Sequence, residues 1–470
     1  MLPLLRPITA ACASVYGALN GTMVAMSRRA PLSGFPEWSP AERAVEASVL
    51  STLRTIFELN GFAEIETRAV EPLDLLGGAS EASKEVYVLT RRGGDTADAE
   101  FGLHFDLTVP FARYVEERQG QLHFPFRRYQ IQKVWRGERP QEGRFREFYQ
   151  ADIDIVARDT LPPHFETEVA VVMARALAAL PVPRATMRMN DRRLVEGFYR
   201  GVGIADVAGA LRSVDKIAKI GADGVAKELA TQNVSEQAAQ AILELAKIQS
   251  SDGSFKDAVL DLWETTPTVD DDDAQRLLGE GISSLVRLVE SVNAAVPGTA
   301  VADLSIARGL DYYTGAVYET TLDGHEDLGS ICSGGRYDSL VAGGGFPGVG
   351  MSIGVSRLVS RLVSQGLVTA SRSVPSVVLV AVVNEDSRGT SDAVASRLRS
   401  RGIACEVAPA AAKFGKQIQY ADRRGIPFVW FPGDEGDGEV KDIRSGEQMA
   451  ADADAWVPPP TDLKVRIQRR

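Results

Sequence analysis

Arg128, Arg136, Arg139, Arg144 and Arg146 crowd into one stretch, RYQIQKVWRGERPQEGRFREFYQADIDIV, in a chain whose net charge is −11. Guanidinium forks match phosphate oxygens two at a time, so such a cluster beside carboxylates suits a polyphosphate. Just downstream, Phe148, Gln150, Asp152 and Asp154 alternate with Tyr149, Ala151, Ile153 and Ile155. Taken alone, a polar strand face is ordinarily just solvated. With the arginines beside it, and with aromatics close by, the row suggests a site for a polyphosphate together with a small zwitterion. Those residues alone leave kinases, ligases and nucleotide sensors open.

Two limbs and a turn must position them. Tyr129 to Arg136 mixes Ile131, Val134 and Trp135 with polar residues, and Arg146 to Val156 alternates with the period of a strand. Between them GERPQEGR is a turn bounded by glycine and proline, so the unit is expected to be an antiparallel hairpin whose basic tip closes over an anion. The segment GLHFDLTVPFARYV, within 86–115, is expected to be a further strand with Asp106 and Thr108 on one face. Arg308 and Arg357 would come from later in the chain.

The remaining sequence bounds the scaffold. With 470 residues, two or three domains are expected. Cys12, Cys332 and Cys405 lie far apart and the four histidines form no ligand-spaced cluster, which speaks against a zinc site or a disulfide framework and for a reducing compartment. The acidic balance argues against non-specific coating of nucleic acid, so any RNA contact must be local. Residues 1–30 are apolar, rich in small residues and free of acid, and are expected to be an unstructured extension, with Met23 and Met26 as alternative starts.

Ser39-Pro40-Ala41-Glu42 predicts a capped helix that ends at Asn60-Gly61, followed by one strand, FAEIETRAVEP, stopped by Pro72. His164 to Leu180 predicts an amphipathic helix. From 191 to 300 the texture is helical, an insertion within a catalytic domain expected at 31–190 and 301–370. The acidic run Asp270 to Asp273 reads as a linker or helix start. In SGGRYDSLVAGGGFPGVGMSIGVSRLVSRLV a helix is expected from about Met351, the glycines letting backbone lie close to a flat ligand or to the sheet. After the linker Ser371-Arg372-Ser373, alternating strand and helix across 374–470 predicts an α/β domain with a largely parallel sheet. No membrane-spanning run or long repeat is present.

RGERPQEGRFREFYQADIDI resembles the second signature of class II aminoacyl-tRNA synthetases, FELNGFAEIETRAVEP the first, and GVGMSIGVSRL the third. ARGLDYYTGAVYE is similar to a stretch particular to the histidyl-tRNA synthetase family, and FGKQIQYADRRGIPFVWF resembles that family's anticodon-binding domain. The resemblance covers about Pro31 to Arg470. It implies an α+β fold: a mostly antiparallel catalytic sheet with a helical insertion, and a C-terminal α/β anticodon-binding domain. It also implies ATP-dependent attachment of L-histidine to tRNA(His) through histidyl-adenylate, with ATP as substrate and Mg²⁺ bound mainly by its phosphates, in a cytoplasmic homodimer without a membrane partner.

The same resemblance distributes roles. Arg136 matches the arginine that holds the α-phosphate and the substrate carboxylate, and Arg308 one that sits at the α-phosphate, the two forming the catalytic pair. Arg357 falls on the γ-phosphate side, with Arg144 and Glu138 completing the ATP-binding set. Asp106, Thr108 and Gln150 match the segment that receives the α-ammonium group, while Asp154, Tyr312 and Tyr313 surround the imidazole. His104 receives no role. Lys413, Lys416, Arg423, Arg424 and the tail KVRIQRR are candidate RNA-phosphate contacts, with an ordinary solvated face as the alternative. A regulatory paralogue without catalysis would be expected to lose these arginines, the tyrosine pair or the C-terminal module, all of which are present. A class II synthetase for glycine, threonine or proline is disfavoured by ARGLDYYTG and SGGRYDSL.

Overall fold

The computed structural model describes residues 30–77, 85–91, 99–307, 309, 312–341, 344–433 and 437–469. Residues 1–29 of the expected extension, with Cys12, and the site candidate Arg308 lie outside these described residues.

Helix α1 (Pro40–Leu59) begins on the predicted capping box: the Ser39 hydroxyl accepts from the Glu42 amide and the Glu42 carboxylate accepts from the Ser39 amide. Its stripe of Val45, Val49, Leu53 and Phe57 is buried, each side chain contributing about 1.5–3 kcal/mol. The single strand expected next is two, β1 (Ala63–Glu64) and β2 (Val70–Pro72), followed by one helical turn, α2 (Leu73–Leu76). β2 forms a small sheet with β3 (Val88–Leu89) and β4 (Phe101–Leu103).

The expected strand through FDLTVPFARYV is instead a helix, α3 (Thr108–Arg118). Pro110 is tolerated because it falls in the first turn, where its missing N–H has no partner to lose. Asp106 therefore does not share a strand face with Thr108. Its Oδ1 accepts from the Val109 amide at 3.1 Å and so caps the helix start.

The predicted hairpin is present as β5 (Phe126–Trp135) and β6 (Glu147–Val156), antiparallel, with Arg128 opposite Asp154 and Gln130 opposite Asp152. Helix α4 (His164–Ala179) and strand β7 (Ala185–Asp191) follow. The helical stretch comprises α5 (Arg192–Gly201), α6 (Val207–Val214), α7 (Ile217–Thr231), α8 (Glu236–Leu245), α9 (Phe255–Thr265) and α10 (Asp272–Ala295). Strand β8 (Gln249–Ser250) lies between α8 and α9. Asp271 accepts from the Ala274 amide, so the acidic run starts α10. Helices α5 and α10 pack together, and α10 also packs on α4, β7 and β9 (Ala300–Asp303).

Three more strands complete the sheet: β10 (Ala316–Leu322), β11 (Cys332–Tyr337) and β12 (Gly348–Gly354). The expected helix from Met351 starts later, as α11 (Val355–Ser364), because Met351 to Gly354 belong to β12. A central strand buried on both faces shows no alternation that would separate it from the helix that follows. The nine strands run β1-β5-β6-β12-β11-β10-β7-β9-β8, antiparallel except at β1–β5 and β7–β9. On one face Ala151, Ile153 and Ile155 join the core beneath α1, α4 and α11; the other carries Gln150, Asp152 and Asp154.

After β13 (Val368–Ala370) come β14 (Val378–Val380), α12 (Arg388–Ser400), β15 (Cys405–Val407), α13 (Phe414–Arg424) and β16 (Phe428–Pro432). The strands β15-β14-β16 are parallel, as expected, but β17 (Asp437–Asp442) and β18 (Gln448–Asp452) extend the sheet antiparallel. The last strand, β19 (Ile467–Arg469), pairs with β13, and Arg469 donates to the Leu180 carbonyl at 2.7 Å. Among the described residues no helix is long and apolar enough to cross a membrane.

Candidate active site

The hairpin tip and the start of α11 build the basic half of the site. Arg357, the third residue of α11, reaches back to donate from Nε to the Gly143 carbonyl at 3.0 Å and from NH1 to the Ser330 carbonyl at 2.6 Å. Glu138 lies between two other guanidinium groups, 3.7 Å from Arg136 and 3.8 Å from Arg144. Arg136 lies over the Phe148 ring and donates to the Phe105 carbonyl. Arg136, Glu138, Arg144, Gln150 and Arg357 line an open cavity. Burial, with Arg144 and Arg136 nearby, holds the Arg357 pKa below the usual arginine range. Several cations held this close with one carboxylate among them favour an anionic ligand.

A second cavity adjoins the first, sharing Ser333 and Ser352 with it. Thr108, Asp152, Asp154, Tyr312, Tyr313 and Tyr337 surround it. Tyr312 packs edge-on against Tyr313, with ring centroids 5.2 Å apart. Asp154 is fixed on both oxygens: Arg128 NH2 lies 2.7 Å from Oδ2, and the Tyr337 hydroxyl donates to Oδ1 at 3.0 Å. Burial raises the Asp154 pKa to about 6 even so, and that of Asp152 to about 7. Asp106 is also pushed upward by burial. Its charge is felt by Asp152 and Tyr312, so it belongs to this acidic half.

The glycine-rich strands create the space. A Cβ on Gly350 would sit 2.0 Å from Asp154 Oδ1, and one on Gly335 2.6 Å from the Tyr313 ring. Only glycine lets β11 and β12 pass so close to these side chains.

Thus Arg136, Glu138, Arg144, Gln150 and Arg357 meet in one cavity, Thr108, Asp154, Tyr312 and Tyr313 in its neighbour, with Asp106 close by. Arg128 and Asp152 belong to the cluster and polar row seen in the sequence but receive no role from it, and Tyr337, Ser333 and Ser352 are site residues it does not indicate. Asp152 was visible in the alternation of β6, and Arg128 could be found as the cross-strand partner of Asp154 once the hairpin register was drawn. Ser333, Ser352 and Tyr337 gave no signal, because β11 was unrecognised and β12 was read in part as helix. His104 is buried, its Nε2 2.7 Å from the Lys133 carbonyl oxygen and its ring against Trp135, and burial lowers its pKa. That environment makes it a packing residue beneath the Asp106 loop.

At the C-terminus Lys413, Lys416 and Arg423 are exposed, whereas Arg424 is 3.1 Å from Glu406 and lies over the Tyr420 ring. The tail is held by the fold: Arg466 approaches Asp462 at 3.6 Å and Arg469 is committed to Leu180.

Residues 34–358 match the family model for histidyl-tRNA synthetase, and residues 377–456 match an anticodon-binding domain. The chain is 57% identical to a histidine–tRNA ligase of Cutibacterium acnes, over 93% of this chain and 98% of that one. It is 56% identical to one of Micrococcus luteus, over 94% and 99%. A crystal structure of histidyl-tRNA synthetase from a Nostoc species superposes with a TM-score of 0.79 at 35% identity, covering 91% of this chain and 98% of that one. A class II catalytic sheet joined to an anticodon-binding module, matched by relatives this similar over nearly their whole length, shows that the chain belongs to the histidyl-tRNA synthetase family.

Proposed function

We propose that the chain attaches L-histidine to tRNA(His) at the expense of ATP, in two steps within the paired cavities. A histidine carboxylate oxygen bonds to the α-phosphorus as the bond to the bridging oxygen breaks, giving histidyl-adenylate and pyrophosphate. A terminal ribose hydroxyl of the tRNA then attacks the acyl carbon, releasing AMP and a proton. The protein aligns the in-line attack and neutralises charge on the phosphoryl oxygens. Arg136 would hold the α-phosphate and carboxylate, Arg144 and Arg357 the outer phosphates, and Glu138 would orient the arginines. Arg308 is assigned to the α-phosphate by resemblance alone.

One observation carries this reading: the cavity walled by Arg136, Arg144 and Arg357 shares Ser333 and Ser352 with a neighbour walled by carboxylates and tyrosines. Such walls suit a polyphosphate and a cationic, ring-bearing amino acid side by side. Mg²⁺ would arrive with ATP and be held mainly by its phosphate oxygens. Asp106, Thr108 and Gln150 would receive the ammonium group, and Asp154, Tyr312 and Tyr313 would surround the imidazole. The catalytic domain is assigned to 31–190 and 301–370, the helical insertion to 191–300, and the anticodon-binding domain to 374–470.

A cytoplasmic homodimer is part of the proposal. Leu59 at the end of α1, with Val88, Leu89 and Phe101 on the small sheet, leaves apolar surface exposed that a second copy could cover. Exposed Lys413 and Lys416 are placed against RNA phosphate, and the helical insertion is assigned to contact RNA as well. The test is charging of a tRNA(His) transcript with labelled histidine. Label that mild base releases as free histidine supports the proposal; no ATP-dependent charging of that transcript contradicts it.

A further inference from the structure

The carboxylate that the family resemblance assigns to the imidazole is already occupied on both oxygens, and the one to which it assigns nothing keeps one oxygen without a partner. Asp154 has Arg128 on one oxygen and Tyr337 on the other. Asp152, two residues earlier on the same face of β6, lines the same cavity and is 4% exposed, yet its Oδ1 has no hydrogen-bond partner. Its cross-strand neighbour Gln130 does not supply one, because that amide donates to Thr67 and Gln132 instead. A buried carboxylate oxygen without a donor is costly, and a ligand bringing an N–H would relieve that cost.

We propose that Asp152 is a specificity-determining residue, its free oxygen receiving a ring N–H of the substrate's imidazole while Asp154 and Arg128 hold the wall behind it. This rests on the reading of the smaller cavity as the histidine site. A site whose buried acceptor must be paired rejects analogues lacking the donor far more strongly than an apolar pocket does. The groups facing Asp152 are Arg128 on β5, Asp154 on β6, Asp106 before α3, Cys332 on β11 and Tyr313 before β10, with the Ser352 hydroxyl on β12. Arg128 is the one cation among these, and it is shared with Asp154, so a ligand donor has a charge to meet.

The test is made in the full chain with Asp152→Asn and Asp152→Ser. Each is expected to raise the KM for histidine in pyrophosphate exchange by about 30-fold, the loss typical of one hydrogen bond to a charged group, and to leave the KM for ATP unchanged. Inhibition by imidazolepropionate, which has the ring but no ammonium group, should weaken in parallel. In the wild-type protein kcat/KM for histidine should fall as the pH is lowered through about 7, and both variants should lack that limb. A purely structural role would leave the pH profile in place. Unchanged KM for histidine, or weakened histidine with unaltered imidazolepropionate, would overturn the assignment. Failure of the wild-type protein to exchange with histidine would instead refute the reading of the cavity itself.

Discussion

Arg128 and Asp154 face each other on adjacent strands, guanidinium to carboxylate at 2.7 Å, with both side chains buried. Removing one member of such a pair leaves the other's charge without compensation. Arg128→Met should therefore destabilise the protein by about 3–5 kcal/mol at pH 8, measured by urea unfolding. At pH 5, below the value of about 6 to which burial lifts Asp154, that carboxyl is protonated and the loss should be smaller. Equal losses at both pH values would contradict the pairing.

Asp152 and Asp154 also set a slope of stability against pH. An ordinary aspartate in the unfolded chain gives up its proton near pH 4, whereas these hold theirs to about 7 and 6. Between those limits the folded state binds more protons, so their contribution falls as pH rises and is fully present only below about pH 4. Asp152→Asn should gain on the wild-type protein in unfolding free energy between pH 4 and 8. A constant difference across that range would show that Asp152 ionises normally.

Gly350 borders Asp154 with no room for a methyl group. Gly350→Ala should displace the Asp154 carboxylate, lowering stability by about 1–3 kcal/mol and weakening histidine binding more than ATP binding. Separate titrations of the two substrates would reveal this. Equal weakening of both would point to a general collapse of the sheet.

Arg357 joins α11 to the hairpin tip through Gly143. Arg357→Ala should lower kcat/KM for ATP about a hundredfold, corresponding to about 3 kcal/mol of lost charge stabilisation, and lysine should restore only part because it lacks the fork. Arg308→Ala, argued from resemblance, is expected to cut exchange by a similar factor while histidine still binds. Exchange at the normal rate would remove either residue from the mechanism.

The hairpin was legible because the second limb carries the period of a strand, the first mixes apolar and polar residues as a strand does, and the turn between them is marked by Gly137, Pro140 and Gly143. The capping box of α1 was equally plain. Helix α3 was missed because Thr108, Val109 and Phe111 have strand propensity and Pro110 looks like a breaker, while the capping contact of Asp106 emerges only in three dimensions. Strands β11 and β12 were obscured for the opposite reason. Their glycines, needed to pass Asp154 and Tyr313, erase the side-chain pattern from which a strand is recognised. The sequence offers the tail as candidate RNA-phosphate contacts or a solvated face, and its pairing as β19 with β13 is not legible there because it joins residues about a hundred positions apart, which no local pattern encodes.

The central claim is that the arginine-lined cavity activates one amino acid, held in the tyrosine-lined cavity beside it, on ATP. It is tested most directly by ATP–pyrophosphate exchange with each of the twenty amino acids in turn. Exchange with histidine alone is the predicted result; exchange with a different amino acid, or with none, would contradict the account.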